Sequence, residues 1–411
     1  MTITIMNQRF IIFSVLMGSY FGFYLALPLF PTIFLNDNYS FLPKEMGEGL
    51  RNILLGLSYT VYCVGGFIGT PLMGKLSDRV GRKPILSITL LLSAITYILS
   101  ACSIYFSLFA LLLFARFFTG FFDSSYSLAY TILIDIDKNS NKKLPNIEFW
   151  TTIASTCGWI LGSLIGWNMA ANPSFPLALL FWGAFFLDLI FFFLVFFFLK
   201  ESQKALSPKE NTKNPFLAVI LAFKHPSLKP VLISNSLFYA ATFIFSYYIP
   251  IFLMNGYNFD PASLGTVDTC LSCAACLAPF TYWLFTKYGS RKDAICISSL
   301  GITFALLVLI LLPFKCTIWT SLFLASYFTA VGWSFSTFLI TDYSSYEEQG
   351  EALGVNQALF VLTEAIASFC CGIFAAIWFY LPFIAAIICA LFSASWIFYA
   401  ISRPLNNSLQ E

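Results

Sequence analysis

The chain has 411 residues, of which 59% are hydrophobic and only 10% charged, with 48 Phe and a mean hydropathy of +0.81. Soluble globular domains are about half apolar and about a quarter charged, so this composition excludes a soluble fold and implies an integral membrane protein. The net charge of +2 offers no basic excess for a nucleic-acid partner, and the 11 cysteines lie almost entirely in apolar segments, which argues against a disulfide framework.

A helix crosses the roughly 30 Å hydrocarbon layer with about 20 mostly apolar residues. Twelve such segments are predicted, at about 10–35, 51–73, 84–104, 106–134, 148–170, 176–199, 229–254, 262–286, 293–312, 317–342, 352–376 and 381–402. The first is too long for a removable signal peptide and lacks a small-residue cleavage site, so it is expected to remain as helix 1. With both termini placed in the cytoplasm, eighteen Lys and Arg fall on the cytoplasmic side. Three (Lys44, Arg51 and Lys315) fall outside, and Arg116 lies within a helix. That bias orients membrane proteins, and a missing or extra helix would destroy it.

In chain order, the first dense knot of charge is GKLSDRVGRKP at 74–84, between helices 2 and 3. Helix 4 carries Arg116 and Asp123. Seven residues apart, they share one face of a continuous helix at a separation of roughly 10 Å. Water or substrate would have to bridge them, and Ser124, Tyr126 and Tyr130 offer hydroxyls at a similar depth. Helix 5 holds CGWILGSLIG, whose Gly158, Gly162 and Gly166 are spaced by four for close helix approach. Asp188 lies in helix 6, Asp268 in helix 8 and Glu364 near the middle of helix 11. A charge in hydrocarbon costs about 2.5–3.5 kcal/mol, which makes each of these five a functional candidate. For Asp123 the readings are proton carrier, substrate counter-charge or structural partner of Arg116. For Glu364 they are proton coupling or a neutral packing residue. Asp268, nearer the outer surface, is a weaker candidate.

Some signals point away from chemistry. Cys270, Cys273 and Cys276 are spaced like part of an iron–sulfur run, but no fourth cysteine follows at the required distance, so they read as packing residues. The single histidine, His225, falls in the polar interval after helix 6 and cannot relay protons inside the membrane. No cofactor or metal is expected.

The interval 200–228 separates six helices from six, which predicts two six-helix halves, 1–199 and 229–411, joined by a cytoplasmic linker containing a short apolar run, LAVILAF. A faint internal repeat supports the division: Leu76, Gly81, Arg82 and Lys83 are echoed by Leu284, Gly289, Arg291 and Lys292. Internal repeats in such chains mark secondary transporters. No nucleotide-binding glycine loop is visible, so transport would run on a gradient.

The residues Gly74, Leu76, Asp78, Arg79, Gly81, Arg82 and Lys83 match the loop signature of the major facilitator superfamily without departure. ARFFTG, with Arg116 and Gly120, resembles the arginine motif of its proton-driven members, and FFLKES resembles the end of helix 6 in the drug:proton antiporter branch, whose members include tetracycline and multidrug exporters. The resemblance implies an all-α polytopic membrane protein with twelve transmembrane helices. It also implies a solute cavity lined by helices 1, 4, 7 and 10, which nominates Tyr20, Tyr24, Tyr126, Asn235, Tyr239, Trp333 and Ser334. One departure concerns helix 5, where Ser163 stands at the position of a proline common in that branch.

The expected function is proton-coupled transport of a small organic solute across the cytoplasmic membrane by a monomer, with efflux by antiport the leading reading. Proton-symport uptake of a nutrient or siderophore is the alternative, and a membrane sensor a remote one. An enzyme is not expected. Proton coupling is assigned to Asp123, Glu364, Arg116 and Asp268. Glu347 and Glu348, in a predicted cytoplasmic loop with Glu351 and no basic residue, read either as acids favoured by the dipole at the start of helix 11 or as a gate that also meets Arg79, Arg82 or Lys83.

Overall fold

The computed structural model describes residues 2–35, 41–43, 45–138, 147–172, 174–202, 225–312, 314–344 and 349–400, and all regular structure among them is α-helical. The helices are α1 (Thr2–Ala26), α2 (Leu29–Leu35), α3 (Glu48–Val80), α4 (Arg82–Tyr105), α5 (Phe109–Phe122), α6 (Ser125–Lys138) and α7 (Ile147–Ala170). They continue with α8 (Ala178–Phe198), α9 (Leu228–Tyr257), α10 (Pro261–Tyr288), α11 (Arg291–Leu311), α12 (Lys315–Asp342), α13 (Gln349–Ile377) and α14 (Leu381–Ala400). By length and apolarity, ten stretches of the described chain are each able to cross a membrane. Two further expected crossings differ in kind. α7 is long enough but diluted by Ser, Thr and Gly, and helix 4 is divided into α5 and α6.

Three departures from the expected helices have local causes. The first crossing breaks after Ala26 because Pro28 has no N–H to donate and restricts the residue before it, and α2 then resumes. The second runs well past 73: GKLSDRV is the last two turns of α3 rather than a loop. Only Gly81 separates α3 from α4, at φ 117°, a conformation that costs glycine nothing and other residues a steric penalty. The third departure is the break at Asp123–Ser124. There the N–H of Asp123 reaches back to Gly120 O at 3.2 Å and that of Ser124 to Phe122 O at 2.8 Å. Asp and Ser side chains compete with helical backbone bonding, so this is where the helix gives way. LAVILAF lies outside the described residues.

The chain forms two compact units, residues 1–212 with 253–269, and residues 213–252 with 270–411. In the first, apolar residues of α1 (Ile12, Val15, Leu16), α4 (Ile85, Leu86, Leu90), α6 (Leu128, Ile132) and α8 (Phe191, Val195) make one core. Its closest helix contacts run over glycine. A Cβ at Gly158 or Gly162 would sit 2.1 or 2.5 Å from the carbonyl oxygens of Met17 or Phe21, so α7 lies directly on the backbone of α1. α3 and α5 meet the same way, with a Cβ at Gly120 placed 1.9 Å from Tyr62 O and one at Gly69 1.9 Å from Phe121 O. In the second unit, Tyr248 and Phe252 of α9 pack on Phe383 of α14 with ring centroids 4.9 and 4.8 Å apart.

Gly120→Ala must push α3 and α5 apart and is expected to cost about 1–3 kcal/mol, the usual range for overpacking. Gly354→Ala, where a Cβ meets nothing within 4 Å, should leave stability unchanged or slightly raised. Thermal melting of the two purified variants against the parent compares them directly.

Candidate proton and solute site

Arg116 is 2% exposed. Its guanidinium carbon lies 4.2 Å from the ring centroid of Tyr62 (α3) and 4.6 Å from that of Phe30 (α2), and its Nε has no hydrogen-bond partner among the described residues. Aromatic faces are the main support this cation receives, an interaction that strengthens when water is excluded. The hydroxyl of the same Tyr62 donates to the carboxylate of Asp123. Arg116 and Asp123 therefore do not share one face of a continuous helix, as the spacing predicts, because the backbone leaves the helical path at Asp123. They are linked instead through Tyr62, whose face takes the cation and whose hydroxyl takes the anion. Asp123 stays half-buried at the break, and Ser124 beside it is buried with its Oγ unpartnered among the described residues. Irregular backbone at membrane depth is tolerated only inside protein or along a water-filled cavity.

In the same unit, half-buried aromatic residues of α1, α6 and α7 pack on one another. Tyr24 stacks on Trp159 of α7 at 5.1 Å, Tyr20 meets Tyr126 edge-on at 5.0 Å, and Tyr126 stacks on Tyr130 at 6.5 Å. The expected residues on helices 1 and 4 thus come together, and Trp159 joins them without having been singled out by the sequence. Within the same unit, Trp167 Nε1 donates to Asp268 Oδ2 at 2.6 Å.

In the second unit, Tyr247 of α9 donates to Glu364 Oε1 of α13 at 2.6 Å. Trp333 donates through Nε1 to Thr242 at 3.1 Å, with its ring 5.3 Å from that of Phe360, and Ser334 hydrogen-bonds Tyr282. Asn235 and Tyr239 lie deeper, at 1% and 2% exposure. Asn235 Nδ2 donates to Ser336 O and Asn356 Oδ1, both at 3.0 Å, and Asn356 Nδ2 donates to the Tyr239 hydroxyl at 3.0 Å. That network ties α9, α12 and α13 together. Tyr62, Tyr247 and Asn356 carry no signal in a single sequence, since nothing local links a tyrosine to a carboxylate 61 or 117 positions away.

The charged knot is organised inside the first unit. Arg82 Nε donates to Asp135 Oδ2 of α6 at 3.0 Å, while its Nη1 lies 2.9 Å from Asp78 Oδ1 and 3.1 Å from Ser77 Oγ. The backbone N–H groups of Arg82 and Lys83, the open end of α4, donate to Glu201 at 3.0 and 3.2 Å. Gly74 is a half-buried helical residue and Arg79 is exposed. The weak repeat seen in the sequence has a counterpart in space: Arg291 at the start of α11 donates to Asp342 at the end of α12 at 2.8 Å. Glu347 and Glu348 lie outside the described residues, and with them the expected gate. The sequence repeat could have pointed to Asp135 and Asp342, because the arginines precede them by 53 and 51 residues.

Membrane-length helices in two units, each with a tyrosine-bonded carboxylate at membrane depth and an arginine–aspartate tie between helices, describe a multi-pass carrier of small solutes rather than an enzyme. The chain belongs to the Major Facilitator Superfamily, whose profile matches residues 12–276 and 231–410. It is 25% identical over 353 residues to the quinolone resistance protein NorA of Staphylococcus aureus (strain COL), covering 85% of each chain. To the class H tetracycline resistance protein of Pasteurella multocida it is 27% identical over 185 residues, 44% of this chain and 42% of that one. The crystal structure of a D-xylose-proton symporter shares the fold, with a TM-score of 0.73 at 16% identity over 96% of this chain and 98% of that chain.

Arg82, with a side chain only 12% exposed, holds two carboxylates, whereas Arg291 is 41% exposed. Arg82→Gln is expected to destabilise by about 1.5–3 kcal/mol, the range for hydrogen bonds to charged groups, and Arg291→Gln by less than about 1 kcal/mol. Denaturation midpoints in one detergent would show the difference.

Proposed function

We propose that this transporter is a proton-coupled exporter of small organic solutes, acting as a monomer in the cytoplasmic membrane with both termini inside. The observation that carries the reading is Asp123. It is a half-buried carboxylate at a helix break in an apolar crossing, bonded to Tyr62, in a unit that also holds the ring contacts of Tyr20 with Tyr126 and of Tyr24 with Trp159. A carboxylate so placed takes up a proton or faces a solute, and such rings suit flat amphipathic molecules. Export is supported by the resistance functions in the names of the two relatives. Glu364, bonded to Tyr247, is the corresponding group in the second unit.

Proton-symport uptake is the second reading. It is favoured by Ser163, which stands where the resembling exporters carry a proline and is wholly buried, its hydroxyl bonded back to Trp159 O at 2.9 Å.

Proteoliposomes with an imposed pH gradient and a panel including quinolones and tetracyclines test both readings. Antiport moves protons against the solute's direction, whereas symport moves them with it. Asp123→Asn and Glu364→Gln are expected to lose most of the gradient dependence, about tenfold or more in initial rate, a scale typical of losing a group that handles the proton. Unchanged dependence in both variants would overturn the assignment of coupling to these carboxylates.

A further inference from the structure

Two helices of this chain are shared between its units. Residues 253–269, which hold the end of α9, the turn after it and the start of α10, belong to the first unit, and the rest of both helices belongs to the second. The segment is compact in itself. Asn258 closes α9 at φ 53°, a left-handed conformation that asparagine tolerates, and the Phe259 N–H donates to Leu253 O at 3.1 Å. Leu253, Leu264 and Val267 are buried.

Its seat is the last part of α7. A Cβ at Gly166 would lie 2.6 Å from Leu25 O and 3.0 Å from Pro28 Cγ, so this turn of α7 rests on the backbone where α1 breaks. Trp167, the next residue, is held there and is 2% exposed. Gly265 of α10 comes against it, since a Cβ at that position would stand 3.0 Å from Trp167 Cβ. Three residues on, Asp268 accepts the indole N–H of Trp167 at 2.6 Å. Positions i and i+3 share one face of a helix, so Gly265 permits the approach and Asp268 makes the bond. A hydrogen bond to a carboxylate is roughly twice as strong as one between neutral groups. Apolar contact is non-directional, whereas this bond fixes which turn of α10 meets which turn of α7. The charged knot lies far away: Arg9, paired with Asp137, precedes Leu25 by sixteen residues, about 24 Å along α1.

We propose that Trp167 is a positioning residue of the transport cycle: its indole N–H, bonded to Asp268, clasps residues 253–269 onto α7, and breaking that bond releases the segment. A helix shared by two units must bend or let go when a carrier changes state. A single strong polar bond between helices in an apolar crossing supplies a catch with two discrete positions, made and broken. Asp268 thereby holds the segment, and proton exchange is left to Asp123 and Glu364. The clasp rests on the chain being a carrier and not on which ion drives it.

The test is amide hydrogen exchange of the full-length protein in lipid nanodiscs, read on peptides covering residues 258–269, with peptides from α4 as the internal reference. Trp167→Phe keeps a ring and removes the donor. Asp268→Leu keeps the bulk and removes the acceptor, whereas Asp268→Asn keeps an acceptor oxygen and removes only the charge. The first two should speed exchange in the segment about tenfold or more, the scale of losing one hydrogen bond to a charged group, and leave α4 unchanged. Asp268→Asn should stay within about threefold of the parent, because a neutral bond still forms. Unchanged exchange in Trp167→Phe overturns the clasp, and so does acceleration spread equally over α4, which means that the bond supports the whole unit. Asp268→Asn matching Asp268→Leu overturns it as well, since residue 268 then contributes its charge and not the bond. If Trp167→Phe does not fold, the pair of variants at 268 gives the same decision. In the proteoliposomes of the coupling test, Asp268→Asn should keep its gradient dependence. A seated segment with that dependence lost returns Asp268 to proton exchange and overturns the division of roles. The exchange measurement uses no solute and no gradient, so the clasp can fail while coupling at Asp123 and Glu364 stands, and coupling can fail while the clasp stands.

Discussion

Tyr62 carries the constraint on which the first unit depends. A guanidinium and a carboxylate cannot stand in hydrocarbon without partners, and this single ring serves both, with Arg116 on its face and Asp123 at its hydroxyl. Its position is set by backbone, because Gly120 brings α5 against the carbonyl of Tyr62 itself. Steric contact between two helices and electrostatics at the site are therefore one problem: whatever separates α3 from α5 also separates the charges from their support.

The same physics recurs in the second unit with different residues. Glu364 takes a tyrosine hydroxyl from α9, and Arg291 ties the start of α11 to the end of α12 as Arg82 ties the start of α4 to the end of α6. The two units differ in what the tyrosine meets. In the first unit Arg116 and Asp123 both meet Tyr62, whereas in the second Tyr247 meets Glu364. The first unit is also where the helix breaks, at Asp123. A broken helix at membrane depth leaves backbone groups unpaired, which is tolerable only where protein or solute meets them.

Much of the architecture was legible in the residues. Apolar lengths placed the crossings, and the knot at 74–84 carried the family. The break at Asp123 was not legible, since FFDSSYS contains no proline or glycine and lies inside an apolar run long enough to be one helix. Nor was the helical state of GKLSDRV, because polar residues at a membrane edge suit a loop as well as a helix that emerges into water. The Pro28 break was readable in principle, as proline acts through its own covalent geometry.

Sequence alone determined the class of molecule, the number and order of its crossings, and which ionisable groups stand in the membrane. These follow from transfer free energies and chain length, which add residue by residue. Only the tertiary structure decided how those groups are paired: Asp123 with Tyr62, Glu364 with Tyr247, Arg82 with Asp135, Asp268 with Trp167. Such pairings depend on the angle and depth at which separate helices meet, and those are set by glycine contacts and ring packing distributed over many distant positions.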